Sequence, residues 1–224
     1  MRSADGPRLL DLFCCQGAAS EGYRRAGFGV VVGVDINPQP RYPFGFWQRD
    51  AVKFLKRFGR HFDAVHASPP CQRYSKAQRI QGREHPDLIG PTRDALRELD
   101  IPYVIENVED ARPELIDPVT LCGQSFGLHT YRHRLFESNV TLEVPEHLPH
   151  LVKTVKMGRA LSPGDFYHAV GNFSNVEYIR QDMAVPWMTR DGIRECIPPA
   201  YTEFIGRQLM AHITSIENTE REAA

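Results

Sequence analysis

Cys71 follows two prolines in residues 67–75, Ala-Ser-Pro-Pro-Cys-Gln-Arg-Tyr-Ser. A cysteine is usually a small buried hydrophobe, but one presented rigidly after an apolar run and before a basic loop suits a nucleophile better. The next apolar run leads into Glu106, in Glu-Asn-Val. A carboxyl there suits a general acid if burial keeps its proton, and equally a helix cap. Residues 131–138, Tyr-Arg-His-Arg-Leu-Phe-Glu-Ser, alternate as a strand does, which predicts Arg132 and Arg134 on one face. Two such arginines form a solvated edge or, beside a cysteine and a glutamate, hold an anion or the edge of a base.

A second set suits a bound nucleoside. Residues 14–19, Cys-Cys-Gln-Gly-Ala-Ala, form a small-residue turn after an apolar run, where Gly17 lets backbone approach a ligand and the next helix begins with free N–H groups. Asp35 ends the following apolar run, roughly 20 residues on, where a carboxylate accepts from both hydroxyls of a ribose. The turn lacks the full G-x-G-x-x-G pattern, which favours a nucleoside without a pyrophosphate. Asp50, before the next helix, either meets an adenine amino group or caps that helix.

The stretch after Cys71 is basic. Residues 72–83 hold Arg73, Lys76, Arg79 and Arg83 and no acid, and residues 49–97 carry 11 basic against 5 acidic side chains. Beside a nucleophile, that pattern suits an element closing on phosphates, the plain alternative being a solvated loop. His147 and His150 lie three apart and His66 ends an apolar run, but no cysteine or acid stands at ligand spacing, so no metal site is expected. Five cysteines with no C-x-x-C pair read as free thiols.

These residues need a frame. Apolar runs at 9–13, 30–34, 62–67 and 101–105 alternate with helical stretches at 20–26, 51–58 and 93–99, which predicts parallel βαβ units in a doubly wound, Rossmann-like sheet. Ligands then sit outside the carboxyl ends of the strands. After residue 121 the texture reads as a small β-rich region, closed by an amphipathic helix over about 199–216. With 224 residues, 42% hydrophobic and 25% charged, the chain reads as one large globular domain. The net charge of −1 makes any nucleic-acid contact local. No apolar run is long enough for a bilayer and no signal core follows the N-terminus, so the expectation is a soluble, cytoplasmic protein, a monomer being the favoured state.

In order along the chain, these segments resemble the motifs of the DNA cytosine-5 methyltransferases. Residues 11–17, Asp-Leu-Phe-Cys-Cys-Gln-Gly, resemble that family's cofactor loop; Val34-Asp-Ile-Asn-Pro its ribose segment; Arg49-Asp50 its adenine contact. Ser68-Pro-Pro-Cys-Gln resembles the nucleophile motif, Glu106-Asn-Val the general-acid motif and Arg132-His-Arg the paired arginines. The opening loop has less glycine than is usual there, Thr130 stands where a Gln is common, and the C-terminal motif is reduced to residues 196–206.

The resemblance implies a class I fold that binds S-adenosylmethionine through Phe13, Gly17, Ala18, Asp35, Ile36, Asp50 and Pro70. Cys71 is the implied nucleophile, Glu106 the acid at cytosine N3, and Arg132 and Arg134 orient the base. Arg73, Ser75, Lys76, Arg79, Arg83 and Asn107 are the implied DNA contacts. The implied division is a catalytic domain over 1–137, a reduced target-recognition region over 138–193 and a C-terminal motif and helix over 194–224. A tRNA cytosine-5 methyltransferase and a silent cofactor-binding partner are the competing readings.

Overall fold

Apolar runs buried on both faces line up as the centre of one seven-stranded sheet. The computed structural model describes residues 6–70, 87–156 and 158–222. Its strands are β1 (Arg8–Leu12), β2 (Val30–Asp35), β3 (Gly45–Gln48), β4 (Ala64–Ala67), β5 (Tyr103–Asn107), β6 (Val119–Leu121) and β7 (Arg134–Ser138), in the order β3-β2-β1-β4-β5-β7-β6. Strands β3, β2, β1, β4 and β5 run parallel, while β7 inserts antiparallel between β5 and β6.

Helices are α1 (Ala18–Ala26), α2 (Ala51–Phe58), α3 (Ile89–Arg97), α4 (Val176–Asp182), α5 (Arg190–Glu195) and α6 (Pro199–Glu222). The two-residue period of β1 sends Leu10 and Leu12 to one face, against Phe54, Leu55 and Leu96 of α2 and α3. Leu9 goes to the other, against Tyr23 of α1 and Tyr201, Ile205 and Leu209 of α6. Each fully buried side chain of this size contributes about 1.5–3 kcal/mol. Helices α1 and α6 touch closely because Gly22 has no side chain; a Cβ there would collide with Thr202 and the Pro199 carbonyl. On the opposite layer a bidentate ion pair, Arg93 Nε to Glu137 Oε1 at 2.6 Å and Nη2 to Oε2 at 2.7 Å, fastens α3 to β7.

Several expectations are corrected. Strands β3 and β6 were not legible, the helix expected at 93–99 spans Ile89–Arg97, and β5 extends to include Glu106 and Asn107. The strand expected over 131–138 begins only at Arg134, because Arg132 has φ 27 and leaves the ladder. Of the β-rich texture expected after residue 121 only β7 is strand, and past Ser138 the described residues form none. Pro145, Pro149 and Pro163 lack ladder donors, and Gly158, Gly164 and Gly171 turn the chain with positive φ. That region instead packs Tyr167, Phe173, Ile179, Met188 and Ile193 into a third core on Ala18 of α1.

Candidate active site

The parallel ladder sets the carboxyl ends of β1, β2, β4 and β5 along one edge, and the antiparallel β7 brings its first residue there too: Leu135 pairs with Asn107 and Arg134 with Leu121. The turn after β1 is unusual backbone. Phe13 and Cys15 have φ 59 and 45, and Gly17 has φ 82 at the start of α1, where no side chain caps the helix. Left-handed geometry at two non-glycine residues is costly and persists where surroundings enforce it. Here the Cys15 N–H donates to Asp35 Oδ2 at 3.1 Å, and the Gln16 carbonyl accepts from Trp187 Nε1 at 2.7 Å. The Gln16 amide also exchanges two hydrogen bonds with Thr189, at 2.8 and 2.9 Å. The segment before α5 is thus latched onto the turn, contacts that local sequence signals do not reveal.

Asp35 is nearly buried, taking one amide on each oxygen: Cys15 on Oδ2 and, at 2.9 Å, Asn37 on Oδ1. Each oxygen keeps a lone pair, the capacity a ribose diol needs. Beside it Ile36 is 63% exposed, an apolar surface with nothing of this chain over it among the described residues. Acceptor, exposed apolar side chain and uncapped helix start together fit a nucleoside-bearing cofactor. Asp50 accepts from the Lys53 N–H at 2.9 Å, the cap of α2.

At the reactive end Glu106 is buried in β5, with Arg134 Nε 3.0 Å from its Oε1. Burial raises its pKa, opposed by Arg134, Arg132 and a hydrogen bond from Ser68. The Ser68 hydroxyl also pairs with His66 Nε2 at 2.8 Å, whose Nδ1 meets the Tyr23 hydroxyl at 2.9 Å. Burial pushes His66 down to about 3, so it stays neutral. Asn107 donates from Nδ2 to the Pro69 carbonyl at 2.9 Å, tying β5 to the chain that enters Cys71. Ser68 went unrecognised as a partner of Glu106 because that role depends on β4 lying beside β5.

Arg132 departs from the expected pairing with Arg134. Its guanidinium is partly buried and donates to the carbonyls of Ala169, Ile193, Arg194 and Cys196 at 2.8–3.1 Å. Arg134 alone of the two bonds to Glu106. Cys71, Arg73, Ser75, Lys76, Arg79 and Arg83 lie outside the described residues, which resume at Asp87. Phe13 packs beside the core, Ala18 is buried, and Pro70 closes the described stretch after β4.

The expectation of no metal site rested on spacing along the sequence and lacks support in the fold, which gathers Cys122, His133, His147 and His150. The spacing of His147 and His150 was visible; their partners come from the ends of β6 and β7, a register no local pattern encodes. A pocket lined by Leu96, Tyr103, Ile116 and Ser138 opens at the other end of β5, away from these groups.

Sheet order and site edge define the fold, a Rossmann-like sheet like that of solved methyltransferases. A prophage-encoded Escherichia coli protein described as a DNA modification methyltransferase superposes with TM-score 0.63 at 16% identity, over 91% of this chain and 98% of that one. The Dnmt2 methyltransferase of S. pombe gives TM-score 0.51 at 12% identity, covering 95% and 99%. The methyltransferase EhMeth of Entamoeba histolytica gives 0.51 at 13%, covering 94% and 98%. At these identities the likeness is one of fold. No protein-family model matches the chain, and no curated protein matches it. No helix of the described residues is long and apolar enough to cross a membrane.

Proposed function

We propose that this chain is a DNA cytosine-5 methyltransferase using S-adenosylmethionine. One observation carries the reading: Glu106 is buried at the end of β5 against Arg134, while the adjacent Asn107 holds the loop that leads into Cys71. A protonated carboxyl and a thiolate acting on one base are what attack on a pyrimidine ring requires.

Phe13, Gly17, Ala18, Asp35, Ile36 and Pro70 would hold the cofactor, with Asp35 on the ribose and Ile36 against the adenine; Asp50 would reach the adenine only beyond its capping role. When bound, S-adenosylmethionine supplies an electrophilic methyl group. The Cys71 thiolate adds to C6 of cytosine while Glu106 gives its proton to N3, and the electron pair displaced toward C5 makes that carbon nucleophilic. After C5 is methylated it loses its proton to a base or water, the thiolate leaves C6 and N3 returns its proton to Glu106, restoring the neutral aromatic ring. Arg134 keeps Glu106 in place. Arg132 is a positioning residue, since it touches carbonyls of the C-terminal segment rather than the acid. The target must be turned out of the duplex, because its C6 face is stacked inside it. Arg73, Ser75, Lys76, Arg79 and Arg83 would grip the backbone phosphates around it, residues 1–137 forming the catalytic domain and 138–193 the recognition region.

The test is transfer from methyl-labelled S-adenosylmethionine to duplex DNA and, in parallel, to tRNA, with bisulfite sequencing of the DNA product. Label at cytosine C5 of DNA, abolished in Cys71→Ala while cofactor binding persists, is the expected result. Retained turnover in Cys71→Ala, or transfer to tRNA alone, overturns it.

A further inference from the structure

We propose that Cys122, His133, His147 and His150 form a structural zinc site that fastens residues 139–150 to the active edge of the sheet. The four come from three places. Cys122 follows β6, His133 precedes β7, and the pairing of Leu121 with Arg134 brings those strand ends side by side. His147 and His150 come from the stretch after β7, which has neither helix nor strand.

One ligand atom from each side chain lies within 4.8 Å of all the others. Cys122 Sγ is 3.4 Å from His150 Nε2, and His133 Nε2 is 3.0 Å from His147 Nε2. A tetrahedron with zinc–nitrogen and zinc–sulfur bonds of ordinary length has edges of about 3.3 Å between nitrogens and about 3.6 Å from sulfur to nitrogen. The cluster is already near that size. Its three imidazole rings are 5.0–5.1 Å apart, centre to centre, each with a nitrogen turned inward.

The surroundings prepare it further. Glu109 Oε1 is 3.1 Å from His133 Nδ1, so the carboxylate holds the ring proton on Nδ1 and leaves Nε2 with its lone pair toward the cluster. That carboxylate–imidazole–metal arrangement is the usual support of a zinc-bound histidine. Tyr131 stacks on His150 at 3.6 Å between centroids, fixing a second ring.

A mixed set of one thiolate and three imidazoles selects zinc over the oxygen-seeking cations. Four protein donors fill the tetrahedron and leave no position for a reacting water, which makes the role structural. The need is visible in the fold. Residues 139–150 meet distant elements through the Asn139 side chain on Tyr103 and Ile101, the Glu143 backbone on Gln208 and the Glu146 carbonyl, which accepts from the Ser125 hydroxyl. A metal would add a cross-link where secondary structure adds none. It would also fix His133, which sits between Arg132 and the Arg134 that bonds to Glu106.

The test uses the untagged full chain, refolded or expressed with zinc chloride and freed of loose metal. Elemental analysis should find close to one zinc per chain, and cobalt(II) in its place should show tetrahedral bands with a thiolate-to-cobalt charge-transfer band. His147→Ala and His150→Ala, at exposed positions, should keep the circular dichroism of the wild type and lose most of the metal, and Cys122→Ser should lose the charge-transfer band. Glu109→Gln should weaken zinc binding about 10- to 100-fold. Chelation should lower the Tm of the wild type and leave that of the doubly substituted His147→Ala, His150→Ala chain unchanged. Wild-type protein that retains no zinc, or histidine variants that retain as much as the wild type, would overturn the site.

Discussion

The side-chain amide of Asn107 donates to the Pro69 carbonyl across 2.9 Å, joining the end of β5 to the chain that leaves β4. The bond is buried, and the same side chain accepts from the Val108 N–H at 3.0 Å. Asn107→Ala leaves both backbone groups without these partners, at a cost of roughly 1–3 kcal/mol. Urea unfolding should show that loss, and single-turnover methyl transfer should slow while calorimetric cofactor binding holds. An unchanged transfer rate would separate the bond from the chemistry.

In the proposed mechanism Glu106 carries its proton when it meets the base, so transfer should fall as pH rises through its pKa. Burial sets that pKa above the ordinary carboxylate range, and Arg134 pulls it back. Removing the cation in Arg134→Met therefore lifts it further, moving the alkaline fall in kcat/KM to higher pH even as the overall rate drops. A shift to lower pH would contradict the assignment. Glu106→Gln should cost about 10²- to 10⁴-fold in the chemical step.

The arginines should part company in a thermal melt. Arg132 satisfies four carbonyls from a partly buried position, a geometry one ammonium cannot reproduce. With charge-assisted bonds contributing about 1.5–3 kcal/mol each, Arg132→Lys should lose roughly 3 kcal/mol. At about 2–4 °C per kcal/mol for a chain of this size, Tm should drop by about 6–12 °C. Arg134→Met should melt much closer to the wild type, and equal drops would refute the distinction.

Asp11, fully buried in β1, has its pKa raised from 3.8 to about 7, chiefly by desolvation and against the hydrogen bond from Ser20. Its Oδ1 has no hydrogen-bond partner among the described residues. The folded state therefore holds a proton that the unfolded chain releases near 3.8. Stability from this group is full below that pH and is lost as pH rises through about 7. Going from about pH 5 to about pH 8, the wild type should lose on the order of 3 kcal/mol more than Asp11→Asn, which is neutral throughout. Urea midpoints at the two pH values measure it, and parallel curves would show that Asp11 is ionised in the fold.

If residues 138–193 read bases as proposed, few of their side chains are free to do so. In the stretch from 139 to 193, Asn175 is engaged with Arg159 and Leu161, and Arg180 with Met188 and Glu177. Lys153, Lys156, Arg159, Asn172 and Gln181 are exposed. At about 1–3 kcal/mol per bidentate contact, such a set supports a recognition site of about two or three base pairs. Bisulfite sequencing of DNA from expressing cells should find many short sites, and methylation confined to one six-base-pair sequence would refute this.

The sequence by itself determined what depends on neighbours a few residues apart. The alternation of Leu9, Leu10 and Leu12 over two faces, the small-residue turn before α1, and the placing of Asp35 and Glu106 at strand ends all follow from local period and residue type. Tertiary structure alone decided how far those periods run and what meets across the sheet. An alternation that read as a strand from residue 131 breaks at Arg132, whose φ of 27 turns its guanidinium onto carbonyls more than 30 residues away. Gln16 finds Trp187, and Cys122 and His133 find His147 and His150, only because chain reversal and the β6–β7 register bring them together. Period and propensity carry no record of such distant pairings, which are fixed when the buried faces of the strands and helices select one packing.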